Sequence, residues 1–116
     1  MYGIKDNKNF AKIYGAYIAL KFSVGGGKPG FSVVNVQLPD GIDGENFYVS
    51  GMLRKESGET SFRPYFGAWS DETGEIYPHI SLEGGVMSAT VPIGQRNTEY
   101  IVILTELPEV VEAEVV

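Results

Sequence analysis

Apolar and polar side chains alternate along several short stretches of this chain, with the two-residue period of β-strands that are buried on one face. In the first stretch Ile18, Leu20 and Phe22 share one face, and a glycine-rich break at residues 25–30 ends it. A second alternating stretch occupies residues 31–38. No helical period persists for three turns, so the pattern predicts strands throughout.

Three glycine-containing turns divide the middle of the chain, from Phe47 to Val91, into four predicted antiparallel strands. Short loops determine which residues lie opposite each other in a hairpin. The turns are Glu56-Ser57-Gly58-Glu59, Glu72-Thr73-Gly74 and Gly84-Gly85. The registers predicted from them are Leu53 opposite Phe62, Met52 opposite Arg63, Trp69 opposite Tyr77, Gly67 opposite His79, Ile80 opposite Ala89, and His79 opposite Thr90.

This register sorts the side chains of the four strands into two faces. The predicted core face consists of Phe47, Val49, Leu53, Phe62, Phe66, Ile76, Ile80, Leu82, Met87, Ala89 and Val91. The opposite face, here called the aromatic face, consists of Tyr48, Met52, Arg54, Arg63, Tyr65, Trp69, Tyr77 and His79. Most of the chain's unusual side chains are thereby predicted to share one surface.

The last strand differs from the others, because residues 100–104 are apolar on both faces. Such a run is typical of a central strand that is covered from both sides. Together the segments predict an all-β fold, an antiparallel β-sandwich of about seven strands with a jelly-roll-like arrangement.

The predicted domain organisation is an N-terminal arm at residues 1–15, the β-sandwich at 16–107 and an acidic C-terminal tail at 108–116. The tail contains four valines that could add a strand to the parent sheet or to a neighbouring subunit. They are Val110, Val111, Val115 and Val116.

Composition narrows the functional classes. The chain has 116 residues, enough for one domain, and its net charge of −6 disfavours nucleic acid as a partner. It has no cysteine, so disulfides and thiolate metal sites are excluded. No apolar run approaches the length of a membrane span and no signal peptide is seen, so we expect a soluble protein without membrane insertion.

The sequence offers little catalytic chemistry. His79 is the only histidine, and no Gly-x-Ser-x-Gly motif accompanies it. We therefore expect no enzymatic activity and no cofactor, and an enzyme built around His79 is the least favoured alternative.

One loop contains a cluster of carboxylates. Asp40, Asp43 and Glu45 lie close together in the loop at residues 39–46, and oxygen ligands of this kind suit hard cations such as calcium. The spacing does not match a twelve-residue calcium loop, and Asp-Gly pairs are common in ordinary turns. A structural turn is therefore the favoured interpretation, and these three residues are only weak metal candidates.

The aromatic face is the predicted binding surface, because Trp, Tyr and Arg dominate binding hot spots. Its candidate ligand- or partner-binding residues are Tyr48, Arg54, Arg63, Tyr65, Trp69, Tyr77 and His79. The tyrosines and the tryptophan could stack on sugar rings while the cationic groups donate hydrogen bonds. Alternatively, the face is covered by the chain's own arm and loops or by another subunit, and a protein partner is favoured over a sugar.

The opening residues Met1-Tyr2-Gly3-Ile4-Lys5-Asp6-Asn7-Lys8, followed by a short all-β domain with a hydrophobic closing strand, resemble small phage and prophage tail-associated proteins. Glycine-rich hairpins and the Leu-Pro-Asp-Gly loop at residues 38–41 add to the resemblance. It implies an N-terminal segment that docks to the tail apparatus and a head that is often trimeric. The acidic tail after Leu107 departs from that arrangement.

The leading hypothesis is therefore a non-enzymatic structural or receptor-binding component of a phage or prophage tail or fibre. It would reside in the virion or in a prophage-encoded particle, form homo-oligomers, with a trimer as one possibility, and bind a protein or a cell-surface glycan. The alternative is a carbohydrate-binding module that uses the aromatic face.

Overall fold

The computed structural model describes residues 16–65, 69–70 and 76–116, with only the backbone described at 69–70 and 76–77. Nine strands are present in this part of the chain. They are β1 (Tyr17–Val24), β2 (Gly30–Gln37), β3 (Phe47–Glu56), β4 (Arg63–Pro64), β5 (Trp69–Ser70), β6 (Ile76–Tyr77), β7 (His79–Glu83), β8 (Val86–Ile93) and β9 (Thr98–Glu106). A single 3-10 turn at Gly44–Asn46 precedes β3, and no described helix is long and apolar enough to cross a membrane.

The strands form two antiparallel sheets that pack face to face. The first sheet has the order β1-β9-β3-β4 and the second sheet has the order β2-β8-β7, while β5 and β6 form a separate pair. The predicted all-β sandwich is thereby confirmed. The prediction that residues 100–104 form a central strand is also confirmed, because β9 lies between β1 and β3.

Both sheets contribute one face to a common core. Met87, Ala89 and Val91 from β8 and Tyr100, Val102 and Leu104 from β9 are each 0% exposed. The other buried apolar residues are Val24, Leu38, Phe47 and Met52. Since the two central strands supply the most deeply buried side chains, the core lies between β8 and β9.

Two of the three hairpin registers predicted from turn chemistry are confirmed. Trp69 lies opposite Tyr77. His79 lies opposite Thr90 and Ile80 opposite Ala89. Gly84 takes a φ of 58° in the two-residue loop between β7 and β8, a conformation that glycine adopts without steric cost. The predicted pairing of Gly67 with His79 lies outside the described residues.

The register predicted for β3 and β4 is wrong by two residues. Leu53 lies opposite Pro64 instead of Phe62, and Arg54 rather than Met52 lies opposite Arg63. The predicted turn does form, with the Glu59 amide donating to the Glu56 carbonyl at 3.0 Å. Residues 59–62 lie outside the ladder, which resumes at Arg63. In this stretch the Glu59 carboxylate accepts a hydrogen bond from the Glu56 amide at 2.7 Å.

The four strands between residues 47 and 91 do not form one sheet. β3 and β4 belong to the first sheet, whereas β7 and β8 belong to the second. A continuous meander would have kept all their side chains on two common faces. Instead, the strands are divided between the two layers of the sandwich, so the predicted aromatic face is not one surface.

Candidate functional site

A β-bulge in β3 determines where the predicted binding residues lie. The pairing of β3 with β9 shifts between Val49 and Gly51, so that one residue of β3 lacks an opposite partner in β9. Ser50 is that residue, and its hydroxyl donates to the Ile103 carbonyl at 3.3 Å. The Thr105 hydroxyl donates in turn to Ser50 Oγ at 2.6 Å.

The bulge exchanges the two faces of β3, because side chains alternate and one extra residue reverses the alternation. Met52, predicted on the aromatic face, is 9% exposed and belongs to the core. Val49, predicted in the core, precedes the bulge and keeps its side of the sheet opposite the buried Leu104, but it is 37% exposed. Leu53 and Phe62, also predicted in the core, lie on the outer side of the first sheet and are half-buried.

The candidate binding residues are accordingly separated. Tyr48 is 45% exposed, opposite Thr105 on the outer face of the first sheet. His79 is exposed opposite Thr90 on the outer face of the second sheet. Arg54 and Tyr65 lie between the sheets. The two exposed side chains therefore lie on opposite sides of the sandwich.

The other predicted binding residues do not form one surface with Tyr48 or His79 in the described part of the chain. Arg63 is exposed and forms an ion pair with Glu59 at 3.4 Å. The backbones of Trp69 and Tyr77 pair with each other, but their side chains lie outside the described residues. Among the candidates whose side chains the structure describes, Arg54 and Tyr65 are in contact, with the guanidinium 5.2 Å from the ring centroid.

Arg54 is the centre of an aromatic cluster inside the sandwich. Its guanidinium lies 5.2 Å from the ring centroid of Tyr65 and 5.9 Å from that of Tyr100, and it forms an ion pair with Glu56 at 2.7 Å. Tyr100 also stacks on Phe22 at 5.6 Å, and its hydroxyl donates to the Pro92 carbonyl at 2.9 Å. The cluster links the first sheet to β8 of the second, so we interpret it as a structural element of the core.

Burial affects the ionisation of both tyrosines in this cluster. Desolvation raises the pKa of Tyr100 to about 12, with the Arg54 charge opposing the shift and the charges of Tyr65 and Glu56 adding to it. Desolvation also raises the pKa of Tyr65, and Arg54 again offsets part of the effect. Both hydroxyls therefore hold their protons at alkaline pH.

Alkaline pH is expected to destabilise the fold through these tyrosines. The native state keeps the Tyr100 proton up to about pH 12, whereas the unfolded chain releases it near the ordinary value of 10.0. Unfolding between these values releases a proton, so the stabilisation is complete below about pH 10 and is lost as the pH rises towards 12. Urea unfolding at a series of pH values measures this slope. Tyr100→Phe should flatten it, and an unchanged slope in that variant would contradict the assignment.

The carboxylate loop has a structural role in this fold. The Asp43 carboxylate accepts a hydrogen bond from the Glu45 amide at 3.0 Å and caps the 3-10 turn that leads into β3. The described residues contain no group of three or more His, Cys, Asp or Glu side chains placed to hold a metal ion. The arrangement of Asp40, Asp43 and Glu45 therefore gives the weak metal candidates no further support.

A groove opens between the bulge of β3 and the edge of the second sheet. It has a volume of about 410 Å³. It is lined by Val49, Ser50, Gly51, Met52, Tyr65, Pro78, His79 and Ile80. Tyr65 and His79, two of the predicted binding residues, approach the same space here, although they belong to different sheets.

A second cleft, of about 430 Å³, lies where three loops meet at the opposite end of the sandwich. Asn97 connects these loops: its side-chain oxygen accepts from the Gly26 amide at 2.7 Å, and its carbonyl accepts from the Ser57 amide at 2.8 Å. A Cβ on Gly26 would collide with the Gln95 carbonyl, so the glycine permits this close approach. We interpret the cleft as the result of loop packing around Asn97, which the sequence analysis did not identify.

Charged side chains beside this cleft are already paired. Glu99 lies between Lys21 and Lys55, each at 3.4 Å, and both ammonium groups also face the Phe62 ring, at 5.8 Å and 5.3 Å. Desolvation acts to raise the pKa of Glu99, but hydrogen bonds and charges from Lys21 and Lys55 outweigh it and hold that pKa below its ordinary value. These contacts join β1, β9 and the β3–β4 hairpin on the outer face of the first sheet.

No protein-family model, curated protein or solved structure matches this chain. Its functional interpretation therefore rests on the sequence resemblance already described and on the surfaces of the sandwich.

Proposed function

We propose that this chain is a non-enzymatic structural or receptor-binding component of a phage or prophage tail or fibre, and that it acts by self-association. The phage assignment rests on the resemblance of residues 1–8 and of the short all-β domain. Self-association is supported by exposed apolar side chains, which mark interaction surfaces in otherwise well-packed proteins.

The observation that carries the proposal is the exposure of the C-terminal valines. Val110 is 80% exposed, Val111 86% and Val115 98%, on a segment whose Leu107 amide donates to the Asn46 carbonyl at 2.8 Å. Four valines within seven residues leave a large apolar area in water, which favours a partner. The second sheet adds Val33, 63% exposed, on its outer face.

Immunoelectron microscopy of particles released from the strain that encodes the chain tests the phage assignment. An antibody against the protein should label tails or fibres after prophage induction. Neighbouring tail-assembly genes provide a second expected result. Label confined to cell debris, together with neighbouring genes unrelated to phage assembly, would contradict the proposal.

A carbohydrate-binding module is the second candidate, and the groove lined by Tyr65 and His79 is the observation that favours it. Such a site combines an aromatic edge with polar groups, as sugar recognition requires. On a glycan array, His79→Ala should lose binding while Ser81→Ala, an exposed change on the same strand, should retain it. The absence of any glycan signal from the unmodified chain would remove this candidate.

A further inference from the structure

We propose that the cleft formed by three loops around Asn97, here called the loop cleft, binds a neutral, hydroxyl-rich ligand, a mono- or disaccharide unit of a glycan. The inference rests on the proposed function, because it names the ligand class and the site through which a receptor-binding component would contact a cell surface. It places that contact at a different site from the groove lined by Tyr65 and His79.

The loop cleft has the size of a small-molecule site. Its volume of about 430 Å³ lies within the range of about 300–1,000 Å³ that is typical of ligand pockets. Its walls come from three neighbouring strands of the first sheet and the loops beside them. Ser23 and Val24 end β1, Lys55 belongs to β3, and Thr98 and Glu99 begin β9. The sheet therefore positions the floor of the cleft.

Backbone hydrogen bonds hold the surrounding loops in place. In addition to the two bonds that Asn97 accepts, the Gly27 amide donates to the Gly94 carbonyl at 2.9 Å. The turn after β3 is closed by the Glu59 amide, which donates to the Glu56 carbonyl at 3.0 Å. A site that is ordered before the ligand arrives loses less conformational entropy on binding.

Three exposed polar side chains line the loop cleft and are available to a ligand. They are Ser23, Ser57 and Asn97. In the part of the chain that the structure describes, neither serine hydroxyl has a hydrogen-bond partner. Asn97 uses its side-chain oxygen for the Gly26 amide, which leaves its two N–H groups to donate. The hydroxyls can donate or accept, as the hydroxyls of a sugar do.

The charged groups of the loop cleft favour a neutral ligand over an ion. Glu59 and Glu99 line the cleft and would repel an anion, whereas the ammonium of Lys55 opposes a cation. Each carboxylate also has a basic partner at 3.4 Å, Arg63 for Glu59 and Lys55 for Glu99. Paired ionic groups still accept and donate hydrogen bonds, and such bonds are stronger than those between neutral groups. Paired charges beside an amide and two hydroxyls therefore match a sugar.

The affinity of one loop cleft should be low. Its described lining residues include no aromatic ring on which a sugar could stack, so we expect a Kd on the order of 1 mM. Self-association would display several clefts on one particle and raise the apparent affinity by about 10²–10⁴. Weak single sites suit a component that acts in many copies.

An NMR titration of the isotope-labelled chain tests this inference. The probes are glucose, galactose and N-acetylglucosamine, with sialic acid as an anionic probe and glucosamine as a cationic one. At millimolar concentration at least one neutral sugar should shift the amide signals of Gly25, Ser57 and Asn97, and the charged probes should not. The double variant Ser23→Ala, Ser57→Ala should raise the Kd of that sugar at least about tenfold, because two hydrogen bonds are lost. Both positions are exposed, so the variant should stay folded.

Ser61→Ala is the matched control, because it removes an exposed hydroxyl from the same β3–β4 connection at a position outside the cleft lining. It should bind like the unmodified chain. If the double variant also binds normally, or if the shifts surround His79 instead, the loop cleft is not the site and the inference is overturned. Binding of sialic acid in preference to the neutral sugars would overturn the ligand class.

The absence of shifts with every neutral sugar would also overturn the inference. That result leaves the phage assignment standing, because labelling of released particles decides it independently of any sugar. Conversely, sugar binding in the loop cleft together with unlabelled particles would remove the phage assignment and leave the binding site.

Discussion

Replacement of Tyr100 by alanine is expected to lower the free energy of unfolding by about 4 kcal/mol, the cost typical of removing a large buried aromatic side chain. Tyr100 is 0% exposed and contacts the rings of Phe22 and Tyr65 at 5.6 Å and 5.9 Å. Its loss would leave a cavity at the junction of the two sheets and would remove the hydrogen bond to the Pro92 carbonyl. Urea denaturation followed by circular dichroism measures the change.

Tyr48→Ala is the control, because Tyr48 belongs to the same residue type but is 45% exposed on the outer face of the first sheet. Tyr48→Ala should lower the free energy of unfolding by less than about 1 kcal/mol, as for most surface substitutions. Equal losses in the two variants would contradict the arrangement described for the core.

Arg54→Ala is expected to lower the free energy of unfolding by about 2 kcal/mol, the second-largest effect, because cation–π contacts and a partly buried ion pair are lost together. The side chains of Arg54 and Glu56 are 21% and 28% exposed, so the carboxylate left behind would regain part of its hydration. Urea denaturation followed by circular dichroism measures this change as well.

Arg54→Lys distinguishes the contribution of the positive charge from that of the planar guanidinium. Lysine keeps the positive charge near Glu56 but lacks the planar guanidinium that packs on Tyr65 and Tyr100. It should recover part of the lost stability and not all of it. If Arg54→Ala proves as stable as the unmodified chain, the guanidinium does not hold the cluster together.

Local sequence patterns were sufficient to predict the strands and most of the turns. Two-residue alternation located β1 and β2, and the Gly84-Gly85 turn gave the register of β7 with β8. The apolar run at residues 100–104 identified the central strand β9. These features succeed because they depend on neighbouring residues only.

The face assignment of β3 failed because it assumes an uninterrupted ladder. One extra residue in the bulge reverses every later side chain, which moved Met52, Arg54 and Tyr65 from a predicted surface into the sandwich. Gly51, in the middle of a strand, was the available signal, since glycine at such a position often accompanies a bulge.

The division of the strands between two sheets could not be read from the turns. A hairpin turn determines which strand pairs with its neighbour but does not determine which layer of a sandwich the pair joins. β3 pairs with β9, some fifty residues away in sequence, and this long-range pairing separates it from β7. For this reason Tyr48 and His79 lie on opposite faces of the protein.

The central claim of this account is that the bulge in β3 turns Met52 and Arg54 from a predicted outer face into the sandwich, so that the predicted aromatic face does not form. The chain has no cysteine, so single cysteine substitutions report the exposure of one position at a time. Met52→Cys and Leu53→Cys are the informative pair, because the bulge turns the first side chain into the core and the second to the outer face of the first sheet.

The most direct test is the rate at which a thiol reagent labels these two variants under native conditions. Leu53→Cys, half-buried on the outer face, should react without any opening of the fold. Met52→Cys should react at least about 100-fold more slowly, because labelling then requires an opening of the core. Rapid labelling at position 52 with protection at position 53 would show an uninterrupted ladder and would contradict the account.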